Sequence, residues 1–212
     1  MKIYRKLENK KHWFFIFAFL LLASCSESAT PSPTNSPAPL PTPTNIPTKA
    51  LNSEEEYEIY DAVINLKYTQ IDELIIADQT RIYRVAYQEL GFLAEAEDAY
   101  RNFLSRNEQS SQLENRFSPY GTEVLLVDND YLNNYFDGGE DLDLEWRNFH
   151  EAHQNSYGYL HFSRVGVNAQ IDKAIVYVEF HCGGTCGSGT VYLLSKVDST
   201  WKIIADDTLF NA

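Results

Sequence analysis

Proline is confined to one short stretch of this chain, and that stretch decides where a fold can begin. Seven of the eight prolines lie between Pro31 and Pro47, interleaved with Ser, Thr and Asn. Proline fixes φ and lacks the N–H that helix interiors and inner strands require. A segment so poor in apolar residues cannot offset the entropy of ordering. Residues 26–50 therefore read as an extended tether, partly polyproline II, reaching roughly 75 to 80 Å at about 3.1 Å per residue. The 162 residues of 51–212 then suit one domain and are enough for a sizeable core.

Ahead of the tether the chain has three parts. Lys2, Arg5, Lys6, Lys10 and Lys11 form a basic start, with Glu8 the one acid. Trp13–Ala23 is an unbroken apolar run of 11 residues, too short for a membrane span of about 20 and suited to a signal h-region. Leu22-Ala23-Ser24-Cys25 follows. This arrangement resembles the lipobox of bacterial lipoproteins. The resemblance implies cleavage before Cys25, lipidation of that cysteine and an anchor in the bacterial cell envelope, on the extracytoplasmic side of a membrane. It implies more than one acyl chain, which stable anchoring needs, since one chain alone holds only marginally. Residues 1–24 are then the signal peptide, and 25–50 the lipidated cysteine with its tether.

The leader holds five basic residues and one acid, so its removal takes the net charge from −13 to −17. Such a surface repels nucleic acid and anionic headgroups, which excludes nucleic acid as a partner. It suits a body standing off the membrane.

Within 51–212 the pattern runs from helices to strands. Ser53-Glu54-Glu55-Glu56 reads as an N-cap followed by a first turn of acids. Tyr57, Tyr60, Ala62, Val63 and Leu66 continue it as an apolar helix face. Leu74–Ala77 and Val124–Val127 read as buried strands. Helices are expected at 94–106, at 131–136 and around Trp146, Phe149, His150 and His153. Four C-terminal strands are expected at 160–168, 174–182, 190–197 and 201–206, rich in β-branched and aromatic residues. Their short links predict antiparallel neighbours. The expected fold is α+β, with N-terminal helices packed on one face of a C-terminal antiparallel β-meander, compatible by analogy with a cystatin-like or NTF2-like cone.

The C-terminal segments Phe162–Asn168, Ala174–Val178, Cys182–Gly189 and Trp201-Lys202-Ile203 resemble a group of bacterial exported proteins. These share an SRVGFN, ALVYV, CGxxCGxG and WxI pattern. The resemblance covers about the last quarter of the chain. It supports fold and location and transfers no catalytic residue.

After the leader, Cys182 and Cys186 are the only cysteines besides Cys25. An even pair in an oxidising compartment argues for a disulfide, here pinning a glycine-rich turn. Two other chemistries use the same atoms. Thiol-redox work is less suited, because the spacing is C-x-x-x-C and a strand, not a helix, follows. Copper suits two thiolates with the imidazole of His181 or His161. Exported Sco-type copper proteins also use C-x-x-x-C, but their histidine lies far downstream, and here no histidine follows Cys186.

Other candidates carry plainer readings. His150-Glu151-Ala152-His153 is one residue short of the zinc-protease H-E-x-x-H spacing, on a face shared with Trp146 and Phe149. Asp137, Glu140, Asp141 and Asp143 form an acidic loop with two glycines, a candidate for calcium or for a helix cap. Arg164, set among apolar residues, calls for a buried partner, with Glu179 or Asp78 in reach. Ser163 has no readable nucleophile context. The 14 tyrosines suit carbohydrate or peptide contacts as well as sheet packing.

The sequence thus points to a lipid-anchored extracytoplasmic domain acting as a non-enzymatic binding or envelope-associated module. Its partners are the membrane and a protein or glycan ligand; no cofactor is indicated. The alternatives are a copper or thiol-redox protein on Cys182 and Cys186, and a hydrolase with an NTF2-like pocket.

Overall fold

The structure is a computed structural model, which describes residues 51–69, 71–86, 90–139 and 141–212. The leader, Cys25 and the tether lie outside the described residues, as does Glu140.

Among the described residues, four α-helices and seven strands follow in the order α1 (Ser53–Lys67), β1 (Glu73–Ala77), α2 (Glu97–Arg106), β2 (Glu123–Val127), α3 (Asn129–Asn133), α4 (Leu142–Ala152), β3 (Tyr159–Phe162), β4 (Gly166–Val167), β5 (Lys173–Gly183), β6 (Cys186–Val197) and β7 (Thr200–Asn211). A 3-10 turn at Leu93–Glu95 precedes α2. The fold is α+β, and the C-terminal meander is present: β5, β6 and β7 pair antiparallel in succession. One mixed sheet runs β2-β1-β3-β5-β6-β7, with β4 paired to β5 beside β3.

One feature of the sheet lies beyond the expected meander, and two expectations need correction. β1 pairs parallel with both β2 and β3. Long intervening segments allow this, because a parallel neighbour needs a crossover of a dozen residues or more. The continuous apolar run Leu74-Ile75-Ile76-Ala77 fits a strand buried on both faces. First, the helices do not share one face. Successive strand residues point to opposite faces. Leu74 and Ile76 pack with α1, whereas Ile75 and Ala77 pack with α3 and α4. Likewise Val176 and Val178 face α1, while Ile175 and Tyr177 face α2. Second, the strand expected over 160–168 is two strands. Ser163 is fully buried between them, and its hydroxyl oxygen accepts the Tyr177 N–H at 2.8 Å.

Local chemistry explains the helix starts. Asn52, rather than Ser53, caps α1 by accepting the Glu55 N–H at 2.9 Å, and three acids in the first turn favour its positive end. Asp128 and Asp141 cap α3 and α4 in the same way. At α2 the sheet comes close. A Cβ on Gly166 would lie 2.3 Å from the Phe103 Cα, so only glycine admits this helix–strand approach.

Candidate functional site

The C-terminal end of β5 gathers several of the residues singled out by sequence. Cys182 and Cys186 stand at disulfide distance, with Cα atoms 5.0 Å apart, across the turn that joins β5 to β6. Over this turn lies α4, which touches it from both its first and its last turn. His150 Nε2 is 3.3 Å from the Cys182 carbonyl oxygen, and Leu142 side-chain atoms come within 3.5 Å of the Cβ position of Gly184.

Beside the disulfide is a hollow of about 630 Å³, lined by Lys67, Tyr68, Ile71, His150, Tyr157, Phe180, Cys182, Cys186, Ser188 and Tyr192. Four aromatic rings thus line it, from the end of α1, the entry to β3, and strands β5 and β6. Tyr157 is the outermost, 66% exposed, whereas Tyr192 is buried. The Lys67 ammonium sits 5.3 Å from the Tyr192 ring centroid and pairs with Asp206 at 3.2 Å. Burial, the largest cause for each, raises the hydroxyl pKa of Tyr68 and of Tyr192. Both therefore stay protonated across ordinary pH. A cavity of this size lies within the range of small-molecule sites, which combine apolar walls with a few polar tips.

The copper set is not assembled. His181 points to the other face of β5. Its ring stacks on Tyr159 at 4.8 Å, and its Nε2 is 3.7 Å from Glu179 Oε2. The imidazole that contacts Cys182 is instead His150, through the backbone carbonyl. His153 is buried, with its Nδ1 3.0 Å from Glu73 Oε1 and its Nε2 2.9 Å from the Tyr131 hydroxyl, so it ties α3 and α4 to β1.

The acidic loop is a cap. Asp141 accepts the Leu144 N–H, and Asp137 and Glu145 both accept the Gly139 N–H. Among the described residues no group of three or more His, Cys, Asp or Glu is placed to hold a metal ion.

Arg164 does not pair with Glu179. It lies 3.8 Å from Glu56 Oε2, which also takes Arg106 at 2.7 Å. Its backbone is clamped by the Asn107 amide through both N–H and carbonyl, and this turns the residue toward the start of α1. Glu179 instead faces Arg81, whose Nε is 3.1 Å from Oε2. Asp78 is used elsewhere, accepting from the Gln112 amide.

Sequence reasoning did not reach the aromatic wall of the hollow or Arg81, and it named His161 only for copper, not for its place opposite Glu179. The tyrosine content was a signal, but it carries no register. Comparison with protein-family models, with curated proteins and with solved structures finds no match.

Proposed function

We propose that the chain is a lipid-anchored extracytoplasmic binding module that takes a glycan in the hollow beside the Cys182–Cys186 turn. One observation carries the reading: Tyr68, Tyr157, Phe180 and Tyr192 line a single hollow of about 630 Å³ with Lys67, His150 and Ser188 among them. Sugar rings offer C–H faces to aromatic rings and hydroxyls to polar tips, and aromatic side chains supply both a large apolar body and a polar handle. The disulfide keeps one side of the hollow in place without occupying it. The anchor comes from the lipobox-like Leu22-Ala23-Ser24-Cys25, with the proline-rich tether as spacer.

Two measurements test this. The lipidated chain in detergent micelles is titrated with soluble cell-wall oligosaccharides and followed by calorimetry. Replacing exposed Tyr157 by Ala is expected to weaken binding about tenfold, or about 1.4 kcal/mol, with an unchanged melting temperature. Equal binding by the variant removes the hollow from the reading. Separately, Cys25→Ala is expected to release the protein from the membrane fraction; retention there argues against acyl anchoring.

A further inference from the structure

The first turns of α1, Thr80, the segment 111–114 and Arg164 enclose a polar cavity of about 150 Å³. That is far more than one water requires. The cavity shares no lining residue with the hollow beside the disulfide. Ser53 and Glu114 of its lining are exposed and the Arg164 side chain is 33% exposed, so solvent reaches it from their side.

Two guanidinium groups share one carboxylate at this cavity. Glu56 Oε2 takes Arg106 at 2.7 Å, whereas Arg164 stands off at 3.8 Å, beyond hydrogen-bond reach. Glu56 Oε1 is committed as well, accepting from the Tyr60 hydroxyl and from the Val165 N–H, both at 3.1 Å. Arg106 Nη1 is buried with no acceptor among the described residues, a second sign that donors outnumber acceptors here. The other carboxylate of the lining, Glu114, is answered by Arg116 at 3.9 Å. Glu56 and Glu114 thus face Arg106, Arg116 and Arg164. One positive charge is left unmatched, and Arg164 carries it into the cavity wall.

Three hydroxyl oxygens of the lining each already accept a hydrogen bond. Ser53 Oγ accepts from Arg116 Nη1 at 2.7 Å, Thr80 Oγ1 from the Ser111 N–H at 2.8 Å, and the Tyr57 oxygen from the Glu114 N–H at 2.5 Å. A hydroxyl has one proton to give, and none of these three is given to an acceptor among the described residues. Burial, the largest cause, raises the Tyr57 hydroxyl pKa, so that group stays protonated and able to donate. One unmatched cation and three spare O–H donors call for a ligand that only accepts. A cation is repelled by Arg164, and an amide brings donors of its own. We infer that this cavity is a receptor for a small monocarboxylate, whose single charge matches the surplus and whose two oxygens offer about four lone-pair sites to Arg164 and the hydroxyls. Arginine and carboxylate can meet through two parallel N–H···O bonds. The second charge of a dianion has no surplus to meet and faces Glu56 and Glu114 in the same wall.

The test uses the lipidated full-length chain, ¹⁵N-labelled, in detergent micelles, and reads the backbone N–H signals of Ser111 and Glu114, which donate to Thr80 and Tyr57. Sodium acetate is expected to move both signals saturably with one dissociation constant of about 1 to 10 mM, within the limit for four heavy atoms. Sodium chloride at equal ionic strength is expected to leave them in place, and hydrogen phosphate at pH 8 to bind more weakly than acetate. Arg164→Gln is expected to weaken acetate more than tenfold; its fold is kept by Asn107, which holds the backbone of residue 164. Should that variant fold poorly, Ser53→Ala removes one donor for an expected loss of about threefold, and α1 keeps its start because Asn52 is the cap. No response to acetate, an equal response to chloride, tighter binding of phosphate, or undiminished acetate binding by either variant overturns the assignment.

Discussion

The two hairpin turns of the meander sit at opposite ends of β6 and are held in opposite ways. At the β5–β6 end, the turn between Gly183 and Cys186 is closed by a covalent link and roofed by α4. At the β6–β7 end, Val197 pairs directly with Thr200 around two residues, Asp198 and Ser199, both in the left-handed region at φ 49° and 64°. A two-residue turn of this form follows the right-handed twist of the strands and favours Gly at its second position. This chain uses Ser there. Each turn borders a hollow of similar size: about 630 Å³ beside the disulfide and about 650 Å³ between α1 and Ser199–Ile203. The disulfide end thus has cross-linked walls lined with aromatics. The far end rests on local backbone conformation, with Glu58, Asp61 and Asn65 of α1 on its polar side.

The largest effect is expected at the cross-linked end. A disulfide restricts the unfolded chain, and a loop of this length contributes roughly 2 kcal/mol. Replacing both Cys182 and Cys186 by Ser is therefore expected to lower the melting temperature by about 4 to 8 °C for a domain of this size, and reductant to do the same to the parent chain. Glycan binding in the adjacent hollow is expected to weaken with it. An unchanged melting temperature means that the packing of α4 holds the turn instead.

This contrast also shows what was legible in the sequence. The pairing of Cys182 with Cys186 was expected from cysteine number and the expected compartment, and a helix cap from the acidic loop, because these are local. The parallel pairing of β1 with β2 and β3 was not legible. It depends on contacts across long stretches of chain, and Leu74–Ala77 reads alike as any buried strand. The partner of Arg164 was missed for the same reason: Asn107, distant in sequence, fixes which way that backbone turns. His161 and Glu179 meet only through strand register, and register is set by the whole sheet.

A smaller effect is expected at the open end. Asp61 accepts the Ser118 N–H at 3.0 and 3.1 Å, yet burial raises its pKa from 3.8 to about 6. The folded state then holds this proton more tightly than the unfolded state. Its contribution to stability is fully present below about pH 4 and is lost as pH rises through about 6. The residue is partly exposed, so solvent screening reduces the effect to about 1 kcal/mol. Asp61→Asn keeps an acceptor for Ser118 and removes the charge. Denaturant melts between pH 4 and 7 are expected to show a flatter stability profile for the variant and greater stability at pH 7. Parallel profiles for variant and parent place the titration elsewhere.

The smallest effect concerns the turn itself. A side chain at φ 64° brings Cβ against the carbonyl, which costs an L-residue roughly 1 to 2 kcal/mol. Ser199→Gly removes that cost but adds freedom to the unfolded chain, which takes back about half of it. The net gain is about 0.5 kcal/mol, or 1 to 2 °C in melting temperature, and the turn then carries an Asp-Gly pair, one of those preferred for this geometry. The substitution leaves Asp198 and the β6–β7 register untouched, so a rise in stability identifies local strain as the weakness of this end. A fall would mean that the Ser199 side chain, at the rim of the 650 Å³ hollow, makes a contact worth more than the strain it carries. The open end would then be held by its hollow, as the other is held by its disulfide.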